Sequence, residues 1–183
     1  MTSPNAWSNL VEWFKRAFDM KTKLIPTQND LREKTRRAMI ELLNQQLVDV
    51  LDLGLQAKQA HWNVKGPHFI GLHELFDKVA EELEEFTDDI AERAVELGGV
   101  ALGTIQIVAK HSRLDAYPLK IASGKQHVAA LSSALARFGT STRAAIDTAS
   151  KTGDADTADL FTEVSRGVDK LLWMVEAHTQ SKE

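Results

Sequence analysis

Residues 59 to 99 read QAHWNVKGPHFIGLHELFDKVAEELEEFTDDIAERAVELGG. A Gly-Pro pair, Gly66 and Pro67, divides this stretch and predicts the end of one helix. Beyond the pair, apolar residues recur every three or four positions until Gly98 and Gly99. They are Leu72, Leu75, Phe76, Val79, Leu83, Phe86 and Ile90. Because this spacing puts them on one helical face, the stretch predicts a helix end, a tight turn and a second, amphipathic helix.

The rest of the chain shows the same three-to-four residue spacing of apolar residues. The helix before the turn is predicted from about Asp30 to Asn63, a third ends near Ser150, and a fourth follows the turn at residues 151–154. A connection over residues 100–120, with a short helix at 104–110, separates the second helix from the third. Such a crossover is typical of ferritin-like connectivity. We therefore predict an all-α fold, a ferritin-like four-helix bundle over residues 28–183 with an N-terminal extension over residues 1–27.

The composition excludes several classes of protein. With 183 residues and 43% apolar residues, the chain can bury the core of one domain. It contains no cysteine, which excludes disulfides and thiolate metal sites, so any metal must be bound by His, Asp or Glu. It shows no apolar run long enough to cross a bilayer and no signal-peptide pattern at its start. We expect a soluble, cytoplasmic protein.

Charge is distributed unevenly along the chain. Residues 1–37 hold eight Lys and Arg against four Asp and Glu, and the remainder holds 14 against 22. The extension is also amphipathic, since one face would carry Trp7, Leu10, Val11, Phe14, Ala17 and Phe18. A basic arm on an acidic body could bind a polyanion. The aromatic face could instead bind the protein's own surface, a neighbouring subunit or a membrane surface.

Two histidines and three carboxylates form the candidate chemical site. His61 would end the first helix, whereas the second helix carries one pair in His73 and Asp77 and another in Asp88 and Glu92, each spaced by four residues. Each pair could share a metal ion. The pairs lie eleven residues apart, which is about 16 Å along a helix, so a single second helix cannot close one site around an ion.

The angular positions indicate how the site could be completed. At about 100° per residue, the ligand candidates fall between about 20° and 100° from His73, and the apolar set falls near 200° to 300°. The ligands therefore point away from the bundle's own core. A two-fold interface with an antiparallel second helix from a neighbour would bring the two pairs together. A mixed imidazole and carboxylate shell favours iron over magnesium, calcium or zinc. A solvated acidic helix face is the competing interpretation.

These residues closely resemble the signature of the Dps family, the mini-ferritins. That signature is His-Trp-Asn, then His and Asp four residues apart, then Asp-x-x-x-Glu-Arg, and the likeness extends over roughly residues 28–180. The resemblance implies the ferroxidase ligands His61, His73, Asp77, Asp88 and Glu92. It also implies a shell of twelve subunits built from two-fold dimers, with hydrogen peroxide preferred over oxygen as oxidant, a ferric core and protection of DNA. Larger ferritins use Glu-x-x-His inside each bundle, and none of the six histidines here has Glu three residues before it.

Further residues have a candidate functional role and, as an alternative, an ordinary structural or solvated one. Trp62 could intercept oxidising radicals or simply pack. The acids Glu81, Glu84 and Glu85 could nucleate mineral or be solvated charge. The resemblance places Asp154, Asp156 and Asp159 at a three-fold pore that admits Fe²⁺, although Asp154 or Asp156 could instead cap a helix. The four remaining histidines are expected to be structural: His68, His111, His127 and His178.

The alternative function is compaction of nucleoid DNA. The cations that could serve it are Lys15, Arg16, Lys21 and Lys23. Repetition over the subunits of a shell would add avidity, whereas the acidic body opposes DNA. A third hypothesis is a helical interaction module without redox chemistry.

Overall fold

The computed structural model describes residues 23–180 and shows five helices there. They are α1 (Glu33–Asn63), α2 (Phe69–Glu96), α3 (Ile105–His111), α4 (Gly124–Thr152) and α5 (Ala155–Glu176). The all-α prediction is confirmed, and each predicted helix is present with ends within about three residues of the expected ones. The first helix begins at Glu33 rather than near Asp30, because the Asn29 side chain accepts a hydrogen bond from the backbone of Leu31 and holds a turn there.

The four long helices form one bundle around a shared core. Helices α1 and α2 form one hairpin, α4 and α5 form the other, and α3 lies in the crossover between them. Phe76, Phe138 and Phe161 are fully buried where the hairpins meet. Burying a side chain of this size stabilises the fold by about 1.5–3 kcal/mol. All seven apolar residues named for the second helix are buried, which confirms its predicted inner face.

The turn between α1 and α2 is fixed to the start of α4. Gly66 has φ 120°, a backbone conformation that favours glycine. The Lys65 backbone receives a hydrogen bond from Gly124 and donates one to Ala122. Ser123 caps α4 in a capping box with Gln126. These bonds set how α2 leaves the turn, and thereby where its first histidine lies.

The crossover is anchored by a buried carboxylate of α1. Asp49 is 1% exposed and accepts hydrogen bonds from the backbone of Arg113 at 2.9 Å and from its Nε at 2.8 Å. Asp52 accepts a further bond from Ser112. The carboxylate is buried, whereas the Arg113 side chain is 48% exposed, so this ion pair lies at the edge of the core. The residues after α3 are therefore held tightly against α1.

At the end of the bundle opposite to the α1–α2 turn, the segment before α1 lies against the end of α2. The backbone N–H of Ile25 donates to the carbonyl of Gly98 at 2.9 Å. Arg36 reaches the carbonyl of Leu97 at 3.1 Å, and Thr35 donates to that of Thr152 at 3.3 Å. The predicted extension thus joins the bundle at this end, although most of it lies outside the described residues. No helix within residues 23–180 is long and apolar enough to cross a membrane.

Candidate metal centre

Two histidines face each other across the α1–α2 turn. The Nδ1 atom of His61 lies 2.8 Å from the backbone oxygen of His73, and the Nδ1 atom of His73 lies 2.9 Å from the backbone oxygen of His61. The two rings stack with their centroids 3.7 Å apart. Since a carbonyl oxygen can only accept, both Nδ1 atoms donate, and each Nε2 keeps its lone pair for a metal ion.

Asp77 stands beside this pair, one turn further along α2. Its carboxylate forms an ion pair with Lys58 of α1 and lies 3.9 Å from the Nδ1 atom of His61. The hydrogen bond from Lys58 is the main reason that the pKa of Asp77 is lowered from its usual value. Asp77 is therefore ionised, as a metal ligand must be, but a cation that binds it has to share it with Lys58 or displace that ammonium group.

Asp88 and Glu92 lie further along α2 and are both exposed. They are on the side of the helix away from the buried residues Leu83, Phe86 and Ile90. This agrees with the predicted outward orientation. In the part of the chain from residue 23 to 180, no three His, Asp or Glu side chains are grouped so that they could hold a metal ion. Within one chain, His61 contacts both His73 and Asp77, but the three do not form such a group, and Asp88 and Glu92 lie further along α2.

An open apolar groove runs next to Asp77, between α1, α2 and α3. Leu55 is 51% exposed and Ile105 is 66% exposed beside it. The groove is also lined by Lys58, Asp77 and two acids of α2, Glu81 and Glu84. Large apolar side chains exposed together at such a surface are typical of a face that pairs with another protein surface.

Comparison with known proteins identifies the family. The family model described as a ferritin-like domain matches residues 40–182. The DNA protection during starvation protein of Agrobacterium fabrum is 46% identical over 156 residues, which is 85% of this chain and 96% of that protein. The chain belongs to the Dps family. The protein of the same name from Mycolicibacterium smegmatis is 34% identical and covers 82% of both chains.

Solved structures agree with the Dps assignment. DpsC from Streptomyces coelicolor superimposes with a TM-score of 0.83 at 31% identity, covering 90% of this chain and 95% of that one. The tetragonal form of Mycobacterium smegmatis Dps gives a TM-score of 0.80 at 32% identity, covering 85% and 95%. The resemblance drawn from residues 59–99 and the ferritin-like fold are therefore confirmed.

Four further residues with a proposed role lie on the surface of α1 or α2. Glu81, Glu84 and Glu85 are exposed, and so is Trp62 at the end of α1, with 63% of its surface accessible. Exposure is compatible with mineral nucleation and with plain solvation of the acids. The roles proposed for these four residues remain predictions.

The acids named for a Dps pore have different surroundings. Asp154 is 2% exposed and caps α5 by accepting from the backbone N–H of Thr157 at 3.0 Å. Its carboxylate also accepts from Arg93 at 3.0 Å, which makes a buried ion pair. Asp156 and Asp159 are exposed. Capping therefore accounts for the position of Asp154, whereas the pore role stays a prediction for all three residues.

The candidate DNA-binding cations fall almost entirely outside the described residues. Lys15, Arg16 and Lys21 belong to residues 1–22, and Lys23 is exposed at the first described position. Their proposed role is a prediction that the structure leaves open.

Sequence reasoning missed two positions beside the candidate sites. Lys58 precedes His61 by three residues, so a single helical turn places its ammonium group next to the same ligands. Arg93 directly follows Glu92 in the Asp-x-x-x-Glu-Arg pattern, yet it turns away from the metal centre to Asp154 and Thr157. The Lys58 spacing was a usable signal, whereas the partner of Arg93 lies 61 residues away and only the fold reveals it.

Proposed function

We propose that this Dps protein oxidises Fe²⁺ at sites shared by two subunits and stores the ferric product inside a shell of its own copies. Iron is here the substrate and the cargo. Each of two Fe²⁺ ions gives up one electron, and hydrogen peroxide takes both as its O–O bond breaks to yield two molecules of water after protonation. Oxygen is the alternative oxidant.

The reciprocal bonding of His61 and His73 is the observation that carries this proposal. It leaves both Nε2 lone pairs unused by the backbone, in a ring pair beside the ionised Asp77, whose carboxylate lies 3.9 Å from Nδ1 of His61. Metal-ligating histidines commonly donate one ring N–H to a carbonyl oxygen and bind the ion through the other nitrogen, which is the arrangement of these two rings. Imidazole nitrogen and carboxylate oxygen together suit iron in either oxidation state.

A two-fold dimer would complete the shell of ligands. If α2 of a neighbour runs antiparallel to α2 of this chain, its Asp88 and Glu92 come opposite His73 and Asp77, and the symmetry produces two equal sites. The groove beside Asp77 supports this arrangement, because a partner would cover the exposed Leu55 and Ile105. We propose further assembly of such dimers into a dodecamer, with Asp156 and Asp159 near the route by which Fe²⁺ enters.

The test compares the initial rate of Fe²⁺ oxidation by peroxide, without oxygen, in the native chain and in the His73→Ala, Asp88→Ala double variant. We expect the rate of the variant to fall to that of iron and peroxide alone. The matched control is His68→Ala with Asp89→Ala, since these exposed residues are of the same types and lie on the same helix or at its start. An unchanged rate in the double variant would reject the proposal.

The assembly is tested separately by light scattering. The proposal predicts a particle of about twelve times the mass of one chain, which is 20.3 kDa. A stable monomer that oxidises iron at the native rate would contradict the shared site.

The second candidate function is DNA binding through the N-terminal extension. The excess of Lys and Arg in residues 1–37 supports it, and Ile25 ties the extension to the end of the bundle near Gly98. Gel retardation at low and physiological salt, with and without residues 1–22, tests it. We expect the shift to weaken with salt and to disappear on truncation. A shift that survives truncation would reject the arm as its cause.

A further inference from the structure

Tyr117 of the crossover and His127 of α4 form a hydrogen-bonded pair. Tyr117 lies between α3 and α4, packed against the main core, and its hydroxyl is 2.7 Å from the Nδ1 atom of His127 in the first turn of α4. His127 is 1% exposed, and the two rings lie 6.1 Å apart at an angle of 21°. The phenol therefore reaches the imidazole in a region from which water is largely excluded.

The direction of this hydrogen bond follows from the environment. Burial lowers the pKa of His127, and the Asn63 backbone opposes the change only in part, so the ring is neutral at pH 7. Burial raises the pKa of Tyr117 to about 12, so its phenol keeps the proton. The Tyr117 O–H consequently donates to the lone pair on Nδ1 of His127. The pair consists of an intact phenol next to a base that is free to accept its proton.

The pair borders the α1–α2 turn, which is bonded to the start of α4 through Lys65. Asn63 and Lys65 lie near His127, since both affect the pKa of its ring. Asn63 follows His61 by two residues in α1. Tyr117 is also the sole tyrosine of the chain. A phenol that can lose its proton and electron together thus contacts an imidazole that borders the turn after His61, one of the proposed iron ligands.

We propose that Tyr117 and His127 form a one-electron redox pair that captures oxidising equivalents released beside the iron centre. This rests on the proposed function for the source of the oxidant, which is the hydroxyl radical formed when a single Fe²⁺ reduces peroxide. In the capture step that radical gains one electron and becomes hydroxide. The Tyr117 O–H bond breaks, an N–H bond forms at Nδ1 of His127, and a neutral phenoxyl radical remains next to an imidazolium. A second Fe²⁺ reduces the phenoxyl, becomes Fe³⁺, and the proton returns to oxygen.

The role of His127 as proton acceptor is what distinguishes this proposal from a purely structural bond. A structural bond needs only an acceptor atom, whereas coupled oxidation needs a base. The substitution His127→Gln keeps an acceptor oxygen and removes the base. Tyr117→Phe removes the phenol, and Trp62→Phe removes an exposed aromatic side chain, adjacent in sequence to His61, that offers another route for oxidation.

The first experiment uses metal-free protein and a photochemically generated one-electron oxidant, with the phenoxyl absorption band followed in time. We expect the native chain and Trp62→Phe to form the band, and Tyr117→Phe to form none. We expect His127→Gln to form it on the order of a hundredfold more slowly, and the rate in the native chain to fall in D₂O. An equal rate in His127→Gln, or no phenoxyl band in the native chain, would overturn the proposal. Circular dichroism checks that each variant is folded.

The second experiment mixes the native chain with Fe²⁺ and excess peroxide and freezes the sample for electron paramagnetic resonance. A tyrosyl signal that is absent in Tyr117→Phe supports the proposal. If iron is oxidised without that signal, capture by Tyr117 is rejected while the ferroxidase proposal stands. If iron is not oxidised but the photochemical band forms, the ferroxidase proposal is rejected and the redox pair is retained.

Discussion

His61 and His73 each hold the other's backbone carbonyl through Nδ1, at 2.8 and 2.9 Å. The two bonds cross the α1–α2 turn and hold the imidazole rings stacked. One feature of the chain thus serves two purposes, because it fixes the turn and prepares two nitrogen ligands. Changes to either ring should therefore affect metal chemistry and the stability of the turn together.

We expect His61→Ala to slow peroxide-driven iron oxidation at least about tenfold, because it removes one nitrogen ligand and the ring that stacks on His73. Stopped-flow absorbance of the ferric product measures the rate. His68→Ala is the control, since His68 is exposed and directly precedes α2. If both variants oxidise iron equally fast, the histidine pair is not part of the site.

The fold could be predicted largely from local patterns. The three-to-four residue rhythm of α2, the Gly66-Pro67 break and the Gly98-Gly99 end all act within a few residues, and each was visible in the sequence. The anchoring of the crossover could not be predicted from the sequence, because Asp49 and Arg113 are 64 residues apart and only packing brings them together.

Part of the candidate metal centre could also be predicted from local sequence spacing. The i and i+4 spacing of His73 and Asp77 fixes their common face, and a tight turn brings His61 close to them. Spacing could not reveal that each Nδ1 atom bonds a carbonyl across the turn. It also gave no indication that Asp154 turns inward to Arg93, which lies on another helix.

Lys58 should compete with metal ions for Asp77. We expect Lys58→Met to tighten binding of Zn²⁺, used as a redox-inert probe, by about three- to fivefold, because the displaced ion pair is partly exposed and contributes little. Titration calorimetry measures the affinity, and Lys78→Met, at an exposed position next to Asp77, is the control. Weaker binding in Lys58→Met would show that Lys58 assists the site.

The same ion pair predicts a dependence on pH. The pKa of Asp77 is lowered in the folded chain, chiefly by the bond from Lys58. The stability that it contributes is therefore present above the ordinary carboxyl pKa and is lost as the pH falls through the lowered value. Carboxyl NMR should show the Asp77 pKa rising toward 3.8 in Lys58→Met. An unchanged pKa would contradict the assignment of Lys58 as its cause.

Asp154 should matter for stability. We expect Asp154→Ala to lower the free energy of unfolding by about 2–4 kcal/mol, because α5 loses its cap and Arg93 loses its buried partner while it keeps Glu96. Urea unfolding measures the difference. Asp156→Ala, at a side chain that is 85% exposed, should change stability by less than about 1 kcal/mol. Equal effects of the two substitutions would refute the distinction.

The Tyr117 hydroxyl should lose its proton at a higher pH than an ordinary tyrosine. Since it is the sole tyrosine, the tyrosinate absorbance of the folded chain reports on it alone, and we expect a midpoint near pH 12 rather than 10. The stability linked to its raised pKa is fully present below pH 10 and is lost as the pH rises toward 12. In a folded chain, a midpoint at the ordinary value would show that the phenol is not held in a dry environment.

The shared site is tested most directly by mixing two inactive variants, one with His61→Ala and His73→Ala and the other with Asp88→Asn and Glu92→Gln. In a dimer of one of each, one site is wholly intact and the other loses four of its five ligands and keeps Asp77 alone. Random assembly at equal amounts should therefore restore about a quarter of the native rate of iron oxidation. If the mixture stays as inactive as its two components, although mass spectrometry shows mixed dimers, the ligands do not come from two subunits and the account is contradicted.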